Sequence, residues 1–329
     1  METACGDYDR AQEVKQFDQS KHGVKGLVDS GLSSIPRIFI HPPETLQQLK
    51  PTTRPDTQPI PTIDLSAPRL RHRPPAVRAF HEQPAEVKMP FYRREAGPGV
   101  SYLSNVDLYA SKAASWRDTL QVRLGPVPAV AQDIPEVCSD EILGWNREID
   151  RLVQQLLGLA GEGLGLSADK LKEMTCHEGR VMVGHYYPQC PQPDLTVGLA
   201  SHCDPGVLTL VLQDHMGGLQ VKHDGVWVDV KPVPGALVVN VGDLLQIISN
   251  DEYNSVDHRV LANPNREPRV SIAVFFNPSN REGVFGPLPE LTSPEKPPLY
   301  REFTYSEFMQ RFFKKELDGK SLKNYYKLQ

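Results

Sequence analysis

The 329-residue chain lacks a Cys-x-x-Cys pair, an apolar run long enough to cross a bilayer and a large excess of either charge. Its five cysteines, Cys5, Cys138, Cys176, Cys190 and Cys203, are odd in number and widely spaced, so neither a disulfide framework nor a zinc ribbon is suggested and a reducing compartment fits. The most apolar stretch, residues 236–248, is interrupted by Asn240 and Asp243, and the N-terminus has no apolar signal core. A cytoplasmic protein without a membrane anchor is expected. With 36 Lys+Arg against 41 Asp+Glu, the net charge of −5 disfavours a nucleic-acid partner. Also missing are a Gly-x-Ser-x-Gly elbow and a P-loop, and neither His81-Glu82 nor His177-Glu178 has the second histidine of a zinc-protease helix.

Turn formers are plentiful, with 24 glycines and 30 prolines. The proline-rich stretch 50–61 reads as an arm, with a short strand at Ile60 and Ile63, followed by a basic, proline-broken loop over 68–75. A helix is predicted after Pro135, capped by Ser139, with Ile142, Trp145, Ile149, Leu152, Leu156 and Leu159 on its buried face and glycines 161, 163 and 165 ending it. From Arg180 the texture is β-rich, with runs at 181–187, 208–213, 219–221, 226–230, 236–241, 244–248, 256–261 and 269–276 separated by turns. Close spacing without helical pattern between them predicts an antiparallel sandwich or barrel. The tail returns to helix around Phe308, Phe312 and Phe313.

His202-Cys203-Asp204 precedes one of these strands, and of ten histidines only His202 has Asp at i+2. Residues i and i+2 of an extended segment project to one side, so an imidazole and a carboxylate can converge on one ion. Chance alone gives one His-x-Asp about half the time, so a surface hydrogen-bonded pair is the default. A third ligand would have to come from another strand. His258 lies in such a run, where a histidine is more often structural. Two histidines and a carboxylate together would form the facial triad that leaves positions open on a non-haem Fe(II). Eleven residues further, Arg269 and Ser271 again share a strand face; a guanidinium there requires an anion, either a bound carboxylate or an internal Asp or Glu.

Taken together, HYYPQCPQPDLTVGLASHCDPGVLTLVLQD, GGLQVKHDGVWVDVKPVPGALVVNVGDLLQIISND and SVDHRVLANPNREPRVSIAVFFNPS resemble the catalytic core of plant 2-oxoglutarate and Fe(II)-dependent dioxygenases. With the N-terminal FDQSKHGVKGLVDSGLSSIPRIFI, the chain is most similar to the subgroup of 1-aminocyclopropane-1-carboxylate oxidase homologs, which includes the benzoxazinoid glucoside dioxygenase. The resemblance implies that His202, Asp204 and His258 bind iron, that Arg269 and Ser271 hold the distal carboxylate of 2-oxoglutarate, and that Tyr187 also contacts it. Phe275 matches a pocket-lining position and Tyr102 is a second pocket candidate; plain core is the alternative for both. His185 stands where many relatives have Asn and is expected at the pocket edge, not on the metal. After Ile63-Asp64-Leu65, a helix and a sheet strand of the relatives are missing, an apparent deletion near 66–78.

The expected fold is mainly β with flanking helices, a jelly-roll (double-stranded β-helix) core over 166–329 with a C-terminal helix, preceded by an N-terminal arm and helical region over 1–165. The expected activity is oxidation, by hydroxylation or otherwise, of a small plant specialised metabolite, using Fe(II), 2-oxoglutarate and molecular oxygen, with release of succinate and carbon dioxide. Ascorbate is a candidate reductant, and a monomer with a small-molecule substrate is expected. Three rivals share the ligands: a Zn(II) hydrolase, a catalytically impaired small-molecule-binding jelly roll, and an ascorbate-using ethylene-forming oxidase.

Overall fold

The computed structural model describes residues 8–49, 60–65, 75–95, 97, 99–314 and 322–328. Ten strands build two antiparallel sheets: β1 (Val100–Leu103), β2 (Asp118–Arg123), β3 (Gly179–Tyr187), β4 (Val197–His202), β5 (Leu208–Gln213), β6 (Leu219–His223), β7 (Val226–Asp229), β8 (Val238–Val241), β9 (His258–Leu261) and β10 (Arg269–Asn277). The larger sheet has six strands in the order β1-β2-β3-β10-β5-β8, and the smaller has four in the order β4-β9-β6-β7. Together with the flanking helices this is the jelly roll that the sequence predicts.

Alternation along each strand separates the two faces of the large sheet. On β10, Val270, Ile272, Val274 and Phe276 enter the main hydrophobic core, where the helix Glu136–Gly163 packs. Arg269, Ser271, Ala273 and Phe275 therefore take the opposite face, inside the jelly roll. A row of paired residues crosses that inner face, from Thr119 on β2 through His185 on β3 and Ser271 on β10 to Gln213 on β5. β1 and β2 come from the first half of the chain and continue the same sheet through the β2–β3 ladder.

The long helix differs from expectation at its start and in its face. It begins at Glu136 directly behind Pro135, while the Ser139 hydroxyl donates to Ala131 O at 3.3 Å and caps nothing. Its buried stripe runs Ile142, Trp145, Ile149, Val153 and Leu157, leaving Leu159 55% exposed. The predicted set followed a heptad, which slides by about 20° per repeat off the face of a straight helix. Residues 244–248, expected as strand, lie in the helix Asp243–Ile248, all six of whose residues are buried. An unbroken apolar run has no periodicity to tell the two apart. This helix starts where Asp243 N donates to Asp204 O at 2.7 Å, and a Cβ on Gly242 would stand 2.1 Å from Gly206 O, so only glycine permits the approach.

Ile60 and Ile63 form no strand: 60–65 is irregular, with Ile63 78% exposed. A strand needs a partner ladder, and none reaches them among the described residues. Most of the proline-rich arm (50–59), most of the basic loop (66–74) and with it most of the apparent deletion site lie outside the described residues. Residues 75–78 open the helix Pro75–Glu82. The N-terminal helices Arg10–Ser20 and Gly23–Asp29 pack through Val14, Phe17 and Val24 onto Phe39 and Trp116, a second apolar cluster. At the start of the second helix, Asp118 accepts from Val24 N and Lys25 N, each at 2.8 Å, and from Ser104 Oγ at 2.7 Å.

Candidate metal centre

β4 and β9 are antiparallel neighbours with His202 directly opposite His258, which sets two imidazoles on one face with ring centres 4.3 Å apart. Asp204 follows β4, and its Oδ1 lies 3.7 Å from His202 Nε2 and 3.5 Å from His258 Nε2. One ligand atom from each of the three falls within 4.8 Å of the others. The other ring nitrogens face carbonyls: His202 Nδ1 is 2.9 Å from Ala200 O and His258 Nδ1 is 3.4 Å from Val256 O. A carbonyl only accepts, so Nδ1 carries the proton and Nε2 is left with its lone pair for a ligand. Burial first, and the neighbouring His258 second, hold the His202 pKa down to about 4, which keeps that imidazole neutral at neutral pH.

The residues fit a divalent ion. Asp204 is 2% exposed, and its Oδ2 has no hydrogen-bond partner among the described residues, an expensive state for a buried carboxylate without a cation. Two neutral nitrogens and one carboxylate are the donor set of ions that keep positions open for exchangeable ligands. Cys203 stands between the ligands in sequence but donates its thiol to Asp257 Oδ1 at 3.3 Å and is absent from the cluster.

Arg269 opens β10 opposite Tyr187 of β3, and its guanidinium lies 4.8 Å from the Tyr187 ring centre. Its donors go to Gly217 O at 2.5 Å, Ser271 Oγ at 3.0 Å and Gln213 Oε1 at 3.3 Å. Arg269 is 3% exposed and forms no ion pair among the described residues. The nearby Asp214 carboxylate is taken by the backbone N–H of Val270. The internal-acid reading of Arg269 is thus without support, and a buried cation held by neutral oxygens retains an appetite for an anion. Tyr187 is itself buried and packs with Leu199, Leu219, Val230 and Val260 between the two sheets.

Phe275 shares the inner face with Arg269 and Ser271 and is half-buried. Tyr102 does not: its register runs through Leu120 and Gly184 to Ile272, on the outer face. There it is fully buried among Phe80, His81 and Tyr92, so Tyr102 is a core residue and the pocket expectation for it is corrected. His185 holds Thr119 Oγ1 at 3.0 Å and Arg117 Nη1 at 3.4 Å and is outside the candidate metal cluster. Arg117 and Gln213 are not singled out by any sequence motif. The alternation in Asp118–Arg123, with Leu120 and Val122 flanked by polar residues, is the period-two signal that marks β2 and puts Arg117 just before it.

Comparison with known proteins follows the same lines. Residues 178–278 match the 2OG-Fe(II) oxygenase superfamily. The 1-aminocyclopropane-1-carboxylate oxidase homolog 1 of Arabidopsis thaliana is 44% identical over 356 residues, covering 97% of this chain and 97% of its own. A probable 2-oxoacid dependent dioxygenase of the same plant is 42% identical, over 95% of this chain and 97% of its own. Among solved structures, JOX2 in complex with 2OG, Fe and JA is 31% identical with a TM-score of 0.79, over 93% of this chain and 98% of that one. The dioxygenase for auxin oxidation in rice is 27% identical with a TM-score of 0.61, over 76% of this chain and 83% of that one.

Proposed function

The chain belongs to the 2OG-Fe(II) oxygenase superfamily, in the company of the Arabidopsis 1-aminocyclopropane-1-carboxylate oxidase homologs, and from that premise we propose that it oxidises a small plant specialised metabolite. It is a 2-oxoglutarate-dependent dioxygenase. Hydroxylation with release of succinate and carbon dioxide is the proposed outcome. The observation that carries the reading is the meeting of His202, Asp204 and His258 inside a jelly roll that also buries Arg269 with no acid partner among the described residues. JOX2 was solved with JA and the rice enzyme is named for auxin oxidation, which supports a small organic substrate here.

In the proposed site His202 and His258 would hold Fe(II) through their Nε2 atoms and Asp204 through its carboxylate. Bound Fe(II), together with 2-oxoglutarate and molecular oxygen, supplies the oxidising chemistry, with ascorbate proposed to keep the ion ferrous. The protein's share is placement. Ala200 O and Val256 O orient the two imidazoles and fix their tautomers. Arg269 and Ser271 take the distal carboxylate of 2-oxoglutarate, and Tyr187 walls the same end beside the guanidinium. Phe275, further along the inner face of β10, lines the substrate side. In this reading residues 1–165, the arm and helical region together with the strands β1 and β2, brace the catalytic core of 166–329, and the protein works as a monomer in the cytoplasm; no helix among the described residues is long and apolar enough to cross a membrane.

The test is succinate formation from 2-oxoglutarate by the iron-loaded protein, with and without oxygen. His202→Ala should lower it by about 100-fold or more, in line with loss of a metal ligand. Undiminished, oxygen-dependent turnover by that variant would refute the assignment. A zinc hydrolase would need no oxygen and gives no account of Arg269 beside Ser271.

A further inference from the structure

Arg117 stands immediately before β2, at the point where this strand meets the metal-bearing sheet. Trp116 N donates to Val197 O at 2.8 Å, and Ala200 N donates to Ser115 Oγ at 3.3 Å, so the two residues preceding Arg117 are tied to β4 within a few residues of His202. Thr119, two residues on, pairs with His185 on the inner face, and the Arg117 side chain reaches the same His185. Arg117 is 8% exposed, yet among the described residues its Nε has no hydrogen-bond partner and its side chain makes a single hydrogen bond, at 3.4 Å from Nη1 to a neutral imidazole nitrogen. The adjacent Asp118 cannot compensate it, because that carboxylate faces the N-terminal helix and is spent on Val24 N, Lys25 N and Ser104 Oγ. Other buried or half-buried guanidiniums with an orphaned nitrogen do have acids: Arg94 pairs with Asp18 and Arg180 with Asp150.

The contact with His185 defines its protonation. An arginine only donates, so His185 Nε2 accepts and its Nδ1–H donates to Thr119 Oγ1. Burial, then the charges of Arg117 and Arg269, push the His185 pKa well below its ordinary value, so the ring adds no competing positive charge. The formal charges of the proposed site then point to what is missing. A divalent ion, the Asp204 carboxylate, a 2-oxoglutarate dianion and the Arg269 guanidinium sum to neutrality, and Arg117 remains uncompensated in a setting where an unpaired charge is costly.

We propose that Arg117, braced by His185 and Thr119, is the anion-binding residue of the primary-substrate pocket, and that the substrate class is small organic molecules bearing a carboxylate. The assignment rests on the oxygenase reading above, because it takes the second carboxylate to come from the substrate and not from 2-oxoglutarate. The guanidinium orients the acid by charge-assisted hydrogen bonds, so a site built this way rejects the matching ester, which leaves the buried donors unmet.

The experiment is calorimetric binding to the full-length protein loaded with Mn(II) and 2-oxoglutarate in the absence of oxygen. The probes are phenylacetate, 4-phenylbutyrate and indole-3-acetate, each beside its methyl ester. At least one acid should bind about 10-fold or more tighter than its ester to the wild type. Arg117→Gln should reduce that ratio to within about twofold and Arg117→Lys should restore part of it, while Mn(II) and 2-oxoglutarate affinities stay within about twofold. An undiminished ratio in Arg117→Gln, a panel without any Arg117-dependent acid, or a loss confined to 2-oxoglutarate binding would each overturn the assignment. Failure of the wild type to bind Mn(II) with 2-oxoglutarate would instead count against the oxygenase reading itself. Should Arg117→Gln not fold, Thr119→Val carries the same comparison in its place, by freeing the His185 ring.

Discussion

A buried guanidinium is expensive, and the inner face of the large sheet holds one at each side of His185: Arg269 by Tyr187 and Arg117 by Thr119. Arg269 is the better furnished, with three neutral oxygens fixing its fork. Replacing it by Gln should raise the KM for 2-oxoglutarate by about 10- to 100-fold, the worth of a charge-assisted pair, and Arg269→Lys should recover only part because the planar fork is lost. Steady-state kinetics at varied 2-oxoglutarate check this; an unchanged KM would remove Arg269 from the proposed co-substrate site. The i and i+2 pairs His202/Asp204 and Arg269/Ser271 are legible in the sequence itself, because residue type and strand alternation are local properties. The place of Tyr102 is not, since its face depends on a register carried across β1, β2 and β3.

Elements are placed by a few specific anchors. Asp118 serves the helix Gly23–Asp29 from a strand 94 residues away, binding its first free N–H groups. Asp118→Ala leaves those donors and Ser104 unmet and should cost about 2–3 kcal/mol. Urea unfolding should show the loss, and limited proteolysis should find the N-terminal arm cut sooner; equal resistance in the variant would deny the anchoring role. The outer edge of β1 is similarly guarded. Arg93 N donates to Tyr102 O at 3.3 Å and Arg93 Nε to Val100 O at 2.6 Å, so a strand edge that a shortened sheet would expose has partners. The helix Asp243–Ile248 shows the opposite limit of sequence pattern: its packing against the segment after Asp204 decides helix over strand.

At the scale of the whole molecule, the alignment with the Arabidopsis homolog spans 356 positions, 27 more than the chain has residues, so at least that many face a gap here. The fold nevertheless closes around several buried neutral histidines, which makes acid its weak side. His81 is fully buried and donates through Nε2 to Gly184 O; burial lowers its pKa to about 3, and burial lowers that of His41 to about 4. A depressed histidine is neutral in the folded state while the unfolded chain takes up its proton below about pH 6.5, so stability falls as pH drops from there towards the folded pKa. Between pH 6.5 and 4.5 these two should cost about 4 kcal/mol, read as a falling thermal midpoint of the metal-free protein. Asp18 and Asp251, where hydrogen bonds led by those from Tyr92 and Tyr300 overcome the opposing effect of burial, lose their contribution only below that window. A midpoint constant from pH 6.5 to 4.5 would contradict the buried neutral histidines.

By itself the sequence determined the residue chemistry: which side chains can ligate, which can grip a carboxylate, and that short turn-linked strands carry them. Those are properties of neighbours along the chain. Tertiary structure alone decided that His258 sits opposite His202, that Tyr102 faces the core, and that Arg117 reaches His185 with no acid partner among the described residues. Each depends on which strands pair and in what register, and a one-residue change of register would turn every such side chain to the other face.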